Sequence, residues 1–83
     1  MRRGRSPQLV AFGRFLRRAR WDREMSQEEL GGAAGVGAKH LSEIERANRD
    51  PRLTTLLKIA RALDLQGDEL LDLYAKLLSA SEG

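Results

Sequence analysis

The chain has 83 residues and a formal net charge of +3, with no cysteine and one histidine. That length holds one domain with one small core, marginal on its own, so a second copy of the chain would help it; the missing cysteines exclude a disulfide staple or thiolate metal site, and His40 alone cannot hold a metal. The charge is uneven: residues 1–23 carry eight arginines against one acid, residues 24–50 three basic groups against six acids, and residues 51–83 four against five.

Residues 1–8 (MRRGRSPQ) read as a disordered basic arm, without apolar periodicity and with Gly4 and Pro7 as breakers. The apolar residues that follow, Leu9 to Leu16, are interrupted by Gly13 and Arg14, so neither a signal peptide nor a membrane span is expected. Leu9, Phe12, Leu16 and Ala19 recur at helical spacing and predict a first helix from Leu9 to about Arg23. Ser26 and Glu29 form a capping box that opens a short second helix, Gln27 to Ala34, stopped by a left-handed Gly35. After the tight link Val36-Gly37, a third helix runs from Ala38 to about Arg46 with Leu41 and Ile44 on one side. Asn48 to Pro51 is a loop, because a residue before proline resists the helix. A fourth helix, Leu53–Thr54 to Leu63, would bury Leu56, Ile59, Ala60 and Leu63. A fifth runs from about Asp68 to Leu78, with acids in its first turn where the helix dipole favours them. No segment alternates with period two. The expected fold is all-α, five helices over residues 9–79 with a disordered tail at 80–83.

The pair Gln27–Ala34 and Ala38–Arg46, joined by a three-residue turn, has the dimensions of a helix-turn-helix. Leu30, Ala33, Ala34, Val36, Leu41 and Ile44 can close one small core, and the small residues at 31–35 allow close approach. The second helix then turns Ala38, Lys39, His40, Ser42, Glu43 and Arg46 outward together, so that it can enter a major groove while its predecessor crosses the backbone. The basic segment at residues 1–23 suits a polyanion, although a solvated helix and a tail would carry the same charge. An enzyme would need a nucleophile–base pair, paired carboxylates in a cleft or a metal site. The sequence presents none, and no cofactor, small-molecule effector or membrane partner is expected.

The run Phe12-Gly13, Leu16, Arg20, Met25 to Leu30, Ala34 to Val36, Leu41 to Arg46, Pro51, Leu56 to Leu63 and Glu69 to Leu71 resembles the lambda-repressor-like, Cro-type (XRE) helix-turn-helix family, in order and spacing, over about residues 12–73. The size and the Glu45-Arg46, Arg49, Pro51 pattern are most similar to the small controller proteins of restriction–modification systems. The resemblance implies a compact five-helix DNA-binding domain that regulates transcription in the bacterial cytoplasm. It places Gln27 where the family has a phosphate-contacting glutamine, and helix N-terminal amides favour an anion there too. It places Ala38, Lys39, Ser42 and Glu43 at base-reading positions, and Arg46, Asn48, Arg49 and Arg52 at the backbone or groove edge. His40, on the same face, reads as a neutral backbone or edge contact rather than a catalytic base. Lys39 suits guanine O6 and N7, Glu43 suits cytosine N4, and Ala38 suits a thymine methyl. Glu43 has a second reading, as the intrahelical partner of Lys39. Arg20 and Glu45 resemble an ion pair that ties the first helix to the recognition helix.

Several positions depart from the family pattern. Glu24, Ala47 and Asp64 stand where glycine is common, and a left-handed non-glycine residue costs on the order of 1 kcal/mol; Asn48 is an alternative left-handed residue after the third helix. Gly37 replaces the usual serine cap. Phe15 and Trp21 are either extra packing or an exposed contact patch. In the last helix Leu70 and Leu71 suffice for docking, which leaves Leu73, Tyr74, Leu77 and Leu78 for an isologous contact in a homodimer on double-stranded DNA. Such a dimer would place two recognition helices roughly 34 Å apart on an inverted repeat. The competing reading is an antitoxin or adaptor, in which Phe15, Trp21 and the last helix bind another protein.

Overall fold

The computed structural model describes residues 7–82, with side chains except those of Tyr74 and residues 77–82. Among these residues are α1 (Pro7–Asp22), α2 (Gln27–Ala34), α3 (Ala38–Glu45), α4 (Leu53–Ala62) and α5 (Gly67–Glu82), with no strand. Residues 1–6 of the expected arm (1–8) and the terminal Gly83 lie outside the described residues. Helix α1 starts at Pro7, two residues before the expected Leu9; proline fits a first helical turn, where its missing N–H would have no partner anyway. Helix α5 continues to Glu82, because nothing from Ser79 to Glu82 breaks it.

The core is one cluster. Phe12, Leu16 and Ala19 of α1 meet Leu30 and Ala34 of α2, Val36, Leu41 and Ile44, then Leu56, Ile59 and Leu63, and finally Leu73 of α5. The last corrects the sequence reading: Leu73, assigned to an exposed dimer patch, is fully buried, whereas Leu71, assigned to docking, is 69% exposed. Consecutive residues of a helix point about 100° apart, so with Leu73 at the centre of the inward face Leu70 falls beside it and Leu71 turns outward. With α5 laid along α1, the inward pair is the half-buried Leu70 and, three residues on, Leu73. The side chains of Tyr74, Leu77 and Leu78 lie outside the described residues.

The helix ends are closed by local hydrogen bonds of side chains and backbone. The capping box at α2 is complete: Glu29 N–H donates to Ser26 Oγ at 3.0 Å, and Ser26 N–H donates to Glu29 Oε1 at 2.8 Å. Gly35 is left-handed at φ 72°. Glu24, Ala47 and Asp64 are left-handed too, at φ 54°, 62° and 55°, so the backbone keeps the geometry of the glycine-bearing pattern without its glycines. Ala47, not Asn48, is the left-handed residue after α3. The reason is the hydrogen-bond closure: Asn48 N–H donates to Glu43 O at 2.8 Å and Ala47 N–H to Ile44 O at 3.0 Å, which reverses the chain at position 47. The same pairing closes α1 around Glu24, through Met25 N–H to Arg20 O and Glu24 N–H to Trp21 O, and α4 around Asp64. Arg23 adds its side chain to that α4 terminus by donating to Leu63 O. No helix among the described residues is long and apolar enough to cross a membrane, and no group of three or more His, Asp or Glu among them could hold a metal ion.

Candidate nucleic-acid interface

Two glycines set how closely the three N-terminal helices approach. A Cβ on Gly31 would meet Val36 O at 2.6 Å and Ala38 N at 3.2 Å, so α2 abuts the turn backbone itself. A Cβ on Gly13 would meet Glu45 O at 2.4 Å, so α1 crosses the end of α3 at backbone contact. The role of Gly13 was not read from the sequence; its only signal is the Phe12-Gly13 pair, a buried aromatic beside a missing side chain.

At this crossing Glu45 of α3 is buried, and its carboxylate is met by donors from two helices, α1 and α2. Arg20 of α1 grips it with Nε on Oε2 at 2.7 Å and Nη2 on Oε1 at 3.0 Å, while Nη1 donates to Met25 O at 2.8 Å. Gln27, the first residue of α2, donates Nε2 to Oε1 at 3.1 Å. Arg17 Nε stands 3.6 Å from the same oxygen. The hydrogen bonds to Glu45 hold the Arg20 guanidinium above its ordinary pKa, against the opposing effect of burial. The pair therefore brings together the residues expected to join α1 to α3, and it adds Gln27 and Arg17, which sequence reasoning did not connect to it. Gln27 keeps a second amide hydrogen for an external acceptor.

Opposite this anchor, α3 presents its outer face. Lys39 and Arg46 are exposed, and Ala38, His40, Ser42 and Glu43 are half-buried along it. Arg46 Nε reaches back to Ser42 O at 3.4 Å. The Glu43 carboxylate accepts from Arg49 Nε at 2.9 Å, so of its two readings the one that paired it with Lys39 gives way: the loop after α3 folds an arginine over it instead. Asn48 and Arg52 are exposed in the same loop and at the start of α4. Phe15 and Trp21 separate. Phe15 packs against the core and under Lys76, 5.1 Å from its ring centre, whereas Trp21 is 58% exposed.

Residues 11–73 match a helix-turn-helix domain family. This chain belongs to that family. It is 37% identical over 64 residues to the control protein C.BamHI of Bacillus amyloliquefaciens, a match covering 76% of this chain and 79% of that one. It is 47% identical over 51 residues to an HTH-type transcriptional regulator, y4dL, of Sinorhizobium fredii, covering 61% of this chain; the match spans only 26% of that longer relative. In three dimensions it is similar to the restriction-modification controller protein C.AhdI from Aeromonas hydrophila, with a TM-score of 0.71 and 39% identity over 75% of this chain and 94% of that one. Within the matched span α2 and α3 are the pair with helix-turn-helix dimensions, and the domain is that of a DNA-binding transcriptional regulator.

Proposed function

We propose that the protein is a cytoplasmic, non-enzymatic controller-type regulator that binds an inverted repeat of double-stranded DNA as a homodimer. The observation that carries this reading is the rigid placement of α3. A buried ion pair and two glycine contacts fix its inner face, and its outer face carries Lys39, Ser42 and Glu43 beside Arg46 and Arg49. Its likeness to two proteins named as controllers, over at least three quarters of each, favours a restriction–modification role. Lys39, Ala38, Ser42 and Glu43 read bases; Gln27, His40, Arg46, Asn48, Arg49 and Arg52 meet the backbone or groove edge. The Glu43–Arg49 pair sits within this surface, so the two act together: Arg49 neutralises a carboxylate that would otherwise repel phosphates.

Selection of bound sequences from random duplexes tests this reading. The expected product is a two-fold symmetric site with half-sites one helical turn apart. Lys39→Ala should then relax discrimination at one base pair per half-site by about 1–3 kcal/mol while random DNA is bound almost as before. Recovery of no enriched sequence, together with capture of a protein partner, would favour the antitoxin or adaptor reading instead.

A further inference from the structure

Glu45 lies beneath more cation than it can neutralise. Arg20 already engages both of its oxygens, yet Arg17 also stands 3.6 Å away with its side chain 37% exposed. The Arg17 guanidinium lies 5.8 Å from the ring centre of Trp21, one turn further along α1. Arg17 is thus flanked by a buried carboxylate and an aromatic ring, although it is not buried itself. It lines a groove of about 290 Å³ between α1 and the end of α3, together with Arg14, Glu45 and Arg46. Among the described residues the one acid in that lining is Glu45, whose charge Arg20 already matches, so these residues leave the groove with net positive charge. Gln27 shares the Oε1 atom of Glu45 with Arg17, which sets the groove beside the first turn of α2. Arg46 connects it to the outer face of α3.

We propose that this groove receives one phosphate of the DNA backbone, with Arg17 as the contacting group and Trp21 as a positioning residue. The inference rests on the helix-turn-helix reading above. A guanidinium stacks on an aromatic face and is weakly hydrated, so the indole can hold it without discharging it. Glu45 orients Arg17 and Gln27 on one oxygen, which references both backbone donors to α3. Their side-chain freedom is spent before DNA arrives, and less is lost on contact. Arg14 and Arg46 complete the charge around the same phosphate. The exposure of Trp21, unexplained by the core, follows from its task.

The test is duplex binding by the full chain against salt concentration, on a selected site and on a random duplex of equal length. Folding of each variant is followed by circular dichroism. Arg17→Gln should weaken both complexes by a similar factor, about tenfold, and lower the log–log salt slope by about one. Arg14→Gln, at an exposed position that makes no ion pair with Glu45, should lower the slope in the same sense and serves if Arg17→Gln does not fold. Trp21→Leu should weaken binding a few-fold, Trp21→Phe should restore it, and Trp21→Leu added to Arg17→Gln should cost nothing further. Independent, multiplying losses would overturn the positioning role, and an unchanged slope in the arginine variants would overturn the phosphate site. A wild-type chain without affinity for any duplex would fail the parent reading; wild-type binding with an unaltered slope in the variants fails this inference alone.

Discussion

The carboxylate of Glu45 is the point through which α1, α2 and α3 are referred to one another. An ion pair this deeply buried gives little net stability, because desolvation offsets most of the attraction, but removing one partner strands a charge. Glu45→Gln should therefore cost about 3–5 kcal/mol in chemical denaturation. Replacing both partners, Arg20→Met with Glu45→Leu, should recover much of that loss because no charge is left stranded. DNA affinity should stay low, since Gln27 and Arg17 lose their common anchor. A double variant that binds like the wild type would show that the pair serves stability alone. Arg20 adds no pH dependence in ordinary buffers: its pKa is raised on folding, so its contribution is full below the unfolded value and lost only in strong alkali. The Arg20–Glu45 pairing was legible through family resemblance. The gathering of Gln27 and Arg17 on one oxygen was not, since it depends on how closely α1 crosses α3, which a sequence does not state.

Among the elements, the contrast between Gly31 and Gly32 separates packing from propensity. Both lie in α2, but a Cβ at Gly31 strikes backbone at 2.6 Å while one at Gly32 meets nothing within 4 Å. Gly32→Ala should stabilise the domain by about 0.5–1 kcal/mol through helix propensity alone. Gly31→Ala should destabilise it by about 1–3 kcal/mol, since backbone cannot yield as a side chain can. Opposite shifts for adjacent glycines, with the larger at Gly31, are the signature to look for in their denaturation midpoints. The left-handed ends supply a second case. Glu24 is exposed at φ 54°, so Glu24→Gly should relieve strain and raise Tm by about 3–6 °C, corresponding to roughly 0.5–1 kcal/mol. No gain would mean that the Glu24 side chain is stabilised where it stands. Local signals such as the Ser26–Glu29 box and Gly35 placed α2 to the residue, because caps act within one turn. The left-handed positions were legible only as departures from a glycine pattern. The choice between Ala47 and Asn48 rested on which carbonyls the loop amides reach, a matter decided by the end of α3.

At the scale of the whole molecule the apolar surface of the last two helices carries the argument for a dimer. Leu53 and Leu57 of α4 are 53% and 41% exposed, and Leu71 of α5 is 69% exposed. The sequence reading named a patch on the last helix but assigned its phase wrongly at Leu71 and Leu73. Hydrophobicity marks that an amphipathic helix has excess apolar residues; it does not say which of two adjacent leucines faces inward until the packing angle on α1 is known. Positions 71, 74 and 78 recur at helical spacing along α5, and a two-fold contact along that line would remove Leu71 from water. Leu71→Lys, at a position the domain core does not use, should leave the unfolding transition of the monomer nearly intact. It should convert sedimenting dimer to monomer at tens of micromolar and weaken binding to a full inverted repeat far more than binding to a single half-site. The two halves of that outcome are linked, because a dimer gains its second half-site at high effective concentration and a monomer does not. Equal weakening on both duplexes would place Leu71 outside the interface, and a wild-type chain that sediments as a monomer at that concentration would remove the dimer itself.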